Sequence, residues 1–275
     1  MIENLVATNT HSDLLFFTTY GKVFQLKAYE IPVASRQAKG QALVNFLQIS
    51  PQEKISAVLA LGELKKEEKY LVMATKGGVI KKTELTDFAK VRRSGLITIK
   101  LKDDDILEWV KPSTGKDSVI LVTAKGQAIR FKEENVRPMG RTASGVRGLK
   151  LKKNDSIIGM GIVTADVANG DLLVVMSSGY GKRTKLKNYK IQGRGGSGIK
   201  TANTTAKTGK IVASIILDIK NLPENLKGDL VIISTMGQAI RLSAKSVSEL
   251  GRATQGVRLM RFKKKDDKIA KIILV

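Results

Sequence analysis

Five pairs of glycines punctuate this chain. The first members, Gly21, Gly77, Gly126, Gly179 and Gly237, each follow an apolar run, at intervals of 56, 49, 53 and 58 residues. The second members, Gly40, Gly95, Gly145, Gly198 and Gly256, follow at offsets of 19, 18, 19, 19 and 19 residues. A spacing held through five copies marks a repeat array rather than scattered turns.

Each copy reads as a small piece of sheet. The runs LLFFTTYGKVFQLK from Leu14, YLVMATKGGVIKKT from Tyr70, VILVTAKGQAIRFK from Val119, LLVVMSSGYGKRTK from Leu172 and LVIISTMGQAIRLS from Leu230 predict hairpins. In each, a strand buried on both faces turns at glycine into a mixed strand. A third strand is expected after the second glycine: ALVNFLQI from Ala42, LITIKL from Leu96, VRGLKL from Val146, IKTANT from Ile199 and VRLMRF from Val257. A closing apolar strand completes each copy, as in SIIGMGIV or IVASIILDI. The expectation is all-β, a propeller-like array of about five four-stranded blades within one domain, residues 1–275. The blades are placed at 5–61, 69–111, 117–164, 171–219 and 229–275, and a sandwich or barrel reusing hairpins, or two small β domains, are the alternatives. Connections are expected near Glu63–Glu68, Ser113–Lys116, Val167–Gly170 and Asn221–Gly228.

Composition narrows the chemistry. The 275 residues contain no Cys and one His, His11, which excludes disulfide scaffolds, thiolate metal sites, Cys nucleophiles and multi-histidine centres. Apolar residues make up 42%, unlike a disordered polycation. The opening MIENLVATNTHSD lacks a basic region followed by an apolar one, and no apolar run approaches the roughly 18 residues of a membrane helix. A soluble, intracellular protein is the expectation.

The 48 Lys and Arg residues against 25 Asp and Glu give a net charge of +23, and the basic residues follow the repeat. Arg36, Arg141, Arg194 and Arg252 each stand four residues before a second glycine; in the remaining copy Val91 is followed by Arg92 and Arg93. Lys39 belongs with them, and Arg147, Lys200 and Arg258 each lie two residues beyond a second glycine. A further set follows the first turn: Lys81, Lys82, Arg130, Lys182, Arg183 and Arg241. Equivalent places in successive blades should form a curved basic track that neutralises successive phosphates and leaves the bases largely unread. Acidic proteins and membrane surfaces are the other anionic candidates, and the lack of a basic amphipathic helix disfavours the membrane.

The glycine-rich loop Gln192, Gly193, Arg194, Gly195, Gly196, Ser197 and Gly198 suits an irregular phosphate contour. The segment from Gly179 to Thr184 lacks the spacing of a nucleotide-binding loop, so no ATP site is expected there. The run Asp103, Asp104 and Asp105 lacks a calcium-loop pattern and reads as a solvated turn. Trp109 and the tyrosines read as packing residues, and no catalytic or metal site is assigned.

The stretches THSDLLFFTTYGKVFQLKAYEIP, RFKEENVRPMGRTASGVRGLKL, GYGKRTKLKNYKIQGRGGSGIKTAN and GRATQGVRL closely resemble the C-terminal domain of bacterial DNA gyrase A proteins, across essentially the whole chain. The related topoisomerase IV domain is the nearest alternative. The resemblance implies a β-pinwheel whose blades exchange strands and whose basic perimeter binds and bends duplex DNA. It implies no activity or cofactor in this chain, with ATP and Mg2+ used elsewhere in the parent topoisomerase. Its implied partners are the gyrase A N-terminal cleavage domain and gyrase B in an A2B2 enzyme, in the cytoplasm at the nucleoid. The family's signature box, Gln-Arg-Arg-Gly-Gly-Lys-Gly, has only a degenerate copy at Gln192–Gly198: Gly193 and Ser197 stand where the box has basic residues.

Overall fold

The computed structural model describes residues 6–35, 37–102, 104–218, 228–264 and 266–275. Arg36, Asp103 and the 221–227 part of the last expected connection lie outside them.

In chain order the strands fall into the five repeats. The first contributes β1 (Asp13–Thr18), β2 (Lys22–Lys27) and β3 (Ile55–Ala60). The second contributes β4 (Tyr70–Thr75), β5 (Val79–Glu84), β6 (Leu96–Ile97) and β7 (Leu107–Ser113). The third contributes β8 (Ser118–Thr123), β9 (Gln127–Lys132), β10 (Val146–Arg147) and β11 (Ile157–Val163). The fourth contributes β12 (Asp171–Met176), β13 (Tyr180–Lys185), β14 (Ile199–Lys200) and β15 (Ile211–Leu217). The fifth contributes β16 (Asp229–Ser234), β17 (Ala239–Ser243), β18 (Val257–Arg258) and β19 (Ile269–Leu274).

The chain divides into two compact units, Met1–Gly115 with Val136–Val146, and Lys116–Asn135 with Arg147–Val275. The first holds the sheets β3-β1-β2-β6 and β7-β4-β5-β10; the second holds β11-β8-β9-β14, β15-β12-β13-β18 and β19-β16-β17. One rule generates them: closing strand, first strand, second strand, then the short strand of the following repeat. The expected third strand therefore exists but pairs outside its own repeat, as Val23 with Leu96, Ala128 with Ile199 and Gly181 with Val257 show. The fifth sheet has three strands among the described residues.

The first repeat departs from expectation at ALVNFLQI. Among the described residues no earlier second strand receives this segment, and its backbone closes on itself instead. Leu43–Asn45 form a 3-10 turn, with the Asn45 N–H donating to Ala42 O at 3.0 Å and the Phe46 N–H to Leu43 O at 3.0 Å.

The first strands are buried as their apolar runs require: β8 and β12 are buried along their whole length. In the first unit Leu15, Phe17, Leu71, Met73 and Phe88 pack together, with Phe17 and Phe88 edge to face at 5.9 Å. In the second, Ile120, Val122, Val174, Met176 and Tyr189 form one core, and Leu173, Leu230, Ile232 and Met260 another.

Left-handed backbone explains most of the glycine pattern and corrects one member. The turn glycine of the second repeat is Gly78 (φ 87°), not Gly77, and it is equivalent to Gly126 (φ 85°) and Gly179 (φ 84°). The acidic run is also more than a solvated turn. The Asp105 carboxylate accepts the Gly77 N–H at 2.7 Å and the Ile106 N–H at 2.9 Å. Asp155 does the same for Lys125, and Asp267 for Met236. Each aspartate binds the residue just before a turn glycine, satisfying a hairpin amide that no strand reaches.

Candidate nucleic-acid interface

The interface starts from the short strands. Two residues suffice to pair with a neighbouring second strand, and their outer side carries no further strand. The first residue of each is half-buried and the second exposed, which places Ile97, Arg147, Lys200 and Arg258 at equivalent edge positions. Three residues further on, Lys100, Lys150 and Arg261 are also exposed. Sequence reading missed this last row, although its constant offset of five from the second glycines would have revealed it.

The loops before these strands carry the periodic arginines. Arg92 and Arg93 are exposed, and Arg93 pairs with Glu30 at 2.7 Å. Arg141, Arg194 and Arg252 are half-buried. Arg194 donates to Asn135 O at 3.2 Å and to Arg147 O at 2.5 Å; Arg252 donates to Lys200 O at 3.1 Å. These arginines therefore reach the backbone of an edge strand from an adjoining repeat and leave part of each guanidinium facing water. Arginine suits both tasks, because its five donors allow one fork to serve backbone and phosphate together. Lys39 is exposed, on the loop of the first repeat.

The second set of basic residues is mostly structural, which corrects the sequence expectation. Lys81 and Lys182 have no exposed surface and Lys82 has 4%. Lys82 places its ammonium 4.9 Å from the centre of the Tyr70 ring. Arg130 donates to Ser118 Oγ at 2.9 Å and Leu186 O at 3.1 Å, and burial pushes its pKa down. Arg183 is bound to Asp171 and donates to Val247 O at 2.8 Å. Arg241 is exposed but paired with Asp229 at 2.7 Å. All six follow the first turn and so lie on second strands, whose outer edge the next repeat covers wherever it donates a strand.

The Gln192–Gly198 loop is an ordered tether rather than an open cradle. Its Gln192 N–H donates to Arg130 O at 2.8 Å and its Gly195 N–H to Gly148 O at 2.9 Å, while Gly196 O accepts from the Lys150 N–H at 2.9 Å. Gly198 (φ 71°) lies so close to β9 that a Cβ would stand 2.5 Å from Ala128 O. Gly193 faces open space, and Ser197 is exposed.

An aromatic support was also missed. Arg258 donates to Tyr180 Oη at 2.8 Å with its guanidinium 5.3 Å from the ring centre, and Lys207 lies 5.7 Å from the same ring. The Arg258 hydrogen bond holds the phenol pKa below its ordinary value, against a smaller effect of burial.

The same five-fold organisation decides the family. A family model described as the DNA gyrase C-terminal domain, a beta-propeller, matches residues 12–61, 69–114, 117–164, 170–218 and 228–275. The chain belongs to this family. Its fold is an all-β propeller of five antiparallel sheets, in keeping with the family's description as a beta-propeller. Among relatives, the DNA gyrase A protein of Staphylococcus epidermidis (strain ATCC 12228 / FDA PCI 1200) is 40% identical over 260 residues, covering 94% of this chain and 28% of that protein. Among solved structures, the C-terminal domain of a DNA topoisomerase IV superposes with a TM-score of 0.85 at 24% identity, over 98% of this chain and 80% of the other. A DNA gyrase A C-terminal domain gives 0.76 at 28% identity, over 96% and 83%. The gyrase C-terminal family thus spans nearly the whole chain, and the chain spans just over a quarter of that full-length relative.

Proposed function

We propose that this domain binds duplex DNA along its exposed edge strands and bends it, with little dependence on sequence. The observation that carries the reading is the row of Arg147, Lys200 and Arg258, one at the same exposed place on each of three donated strands. A phosphate backbone needs charges at a regular step and no base-reading groups, and repeats supply such a step. The combined contacts must exceed a bending cost on the order of 1 to 6 kcal/mol for a site of 20 to 30 base pairs.

Within a whole topoisomerase the bound segment would be led to the cleavage gate of the gyrase A N-terminal domain. With gyrase B, ATP and Mg2+ in an A2B2 enzyme at the nucleoid, this would set the sign of supercoiling. The 40% identity to a gyrase A protein supports wrapping; the higher TM-score to a topoisomerase IV domain supports a second reading, selection of a crossing segment without wrapping.

The test combines affinity against salt with topology of relaxed circular DNA closed by ligase in the presence of the full chain. Steep salt dependence with a one-signed shift in linking number is the expected result for wrapping. Binding without a shift selects the second reading. Salt-insensitive binding, or none, would falsify both.

A further inference from the structure

The buried lysines show a second pattern. Three residues after each turn glycine, the second strands carry Phe24, Lys81, Ile129, Lys182 and Ile240. In the first four repeats this residue lies against the arginine loop of the next. Phe24 packs so tightly that a Cβ on Gly95 would meet its ring at 2.7 Å, Lys81 Cβ would lie 3.2 Å from one on Gly145, and Ile129 Cδ1 3.8 Å from one on Gly196. Two of these four supports are apolar. The other two are lysines whose ammonium groups end on the loop backbone.

The contacts are specific. Lys81 Nζ donates to Thr98 O at 2.6 Å and to Arg141 O. Lys182 Nζ donates to Gly251 O and Arg252 O, each at 2.6 Å, and to Thr254 Oγ1 at 3.0 Å. In both cases one acceptor is the carbonyl of the periodic arginine itself. An apolar support fills space beneath a loop without fixing the direction of its peptide groups. An ammonium, with three donors in a buried site, fixes carbonyl directions: Lys182 holds the two carbonyls that flank the Arg252 Cα, and Lys81 ties the Arg141 carbonyl to that of Thr98.

We propose that Lys81 and Lys182 are positioning residues that hold the Arg141 and Arg252 loops in their DNA-binding geometry. The proposal rests on the DNA-binding reading above and extends it to residues that never meet solvent. The arginines touch phosphate, and the lysines act through them.

The test substitutes each lysine with the residue of a sister repeat, Lys81→Ile and Lys182→Ile, in the full chain. Backbone hydrogen exchange and duplex affinity are measured for each, alone and combined with Arg141→Ala or Arg252→Ala. Exchange should accelerate at least about tenfold, the factor of a 1.4 kcal/mol loss, in residues 139–145 and beside Thr98 for Lys81→Ile and in 250–256 for Lys182→Ile, and not in the rest of the fold. Affinity should fall about threefold, the scale of one phosphate contact over a moderate rise in salt. Lys81→Ile and Arg141→Ala should not multiply, whereas Lys81→Ile and Arg252→Ala should.

Wild-type exchange in these loops overturns the proposal. So does full multiplication of Lys81→Ile with Arg141→Ala, or global unfolding of both variants, which would make the lysines general core residues. If the unsubstituted chain binds no duplex, the DNA-binding reading fails, and the exchange measurement alone decides whether the lysines hold the loops.

Discussion

Gly198 lies so close to Ala128 that a Cβ added to it would stand 2.5 Å from the Ala128 carbonyl oxygen, and its φ of 71° is one that side chains rarely adopt. The same relationship joins Gly145 to Ile80 at 2.7 Å and Gly256 to Gly181 at 2.6 Å. In these three repeats the second glycine therefore recurs because the donated strand enters its pairing in this conformation, against the host backbone.

Gly198→Ala should cost roughly 2 to 3 kcal/mol, combining left-handed strain with a clash against backbone that cannot yield. Gly193→Ala, in open space five residues earlier, should stay within about 0.5 kcal/mol. Urea unfolding of the two variants separates these outcomes, and equal losses would contradict the close-approach account.

Asp105→Ala should lower stability by about 1 to 2 kcal/mol, because the Gly77 amide loses the partner that satisfies it. Asp155→Ala should behave alike through Lys125. Neither change should alter the salt dependence of DNA binding, since each carboxylate serves a hairpin. Denaturation and salt titration of the same samples check both halves.

Stability should rise with pH in the alkaline range. Burial pushes the Lys81 pKa down to about 8, with Asp87 opposing the shift and Arg141 adding to it. Lys182 is pushed to about 8 by burial and by Arg252. Unfolded lysine titrates near its ordinary 10.5. Between about 8 and 10.5 the unfolded chain therefore binds more protons than the folded one, and raising pH favours folding. Below pH 8 both states are protonated and the dependence on pH disappears. Comparing denaturation midpoints at pH 7.5 and 9.5 for the parent and the Lys81→Ile, Lys182→Ile double variant isolates the contribution, which the double variant should lack.

Arg147→Ala, Lys200→Ala and Arg258→Ala should each weaken duplex binding about threefold at moderate salt, equally across sequences. Each should reduce the slope of log K against log salt by about 0.9. Arg130→Ala should leave that slope unchanged and instead destabilise the fold, because its guanidinium is bound to Ser118 and Leu186 O. A slope change at Arg130 equal to that at Arg147 would mean that burial does not separate structural from phosphate-facing arginines.

Most of the local fold was legible in the sequence. Apolar runs such as LLVVM from Leu172 and VILV from Val119 read as strands because burial on both faces favours an unbroken apolar stretch, and the glycines mark turns and close approaches that other residues cannot make. The repeat and its charge were legible for the same reason: each depends on residue type and spacing along the chain. Strand exchange was not legible from periodicity alone. Val146–Arg147 and Ile199–Lys200 are two-residue strands whose partners lie in the preceding repeat, and so short a segment has no intrinsic preference strong enough to name its host. That pairing also decided which basic residues meet water. Lys182 and Arg258 are both cations in mixed polar segments of neighbouring repeats, yet Lys182 lies under a loop and Arg258 on an outer edge. Charge is a property of the side chain; its exposure depends on which strand the tertiary structure lays beside it.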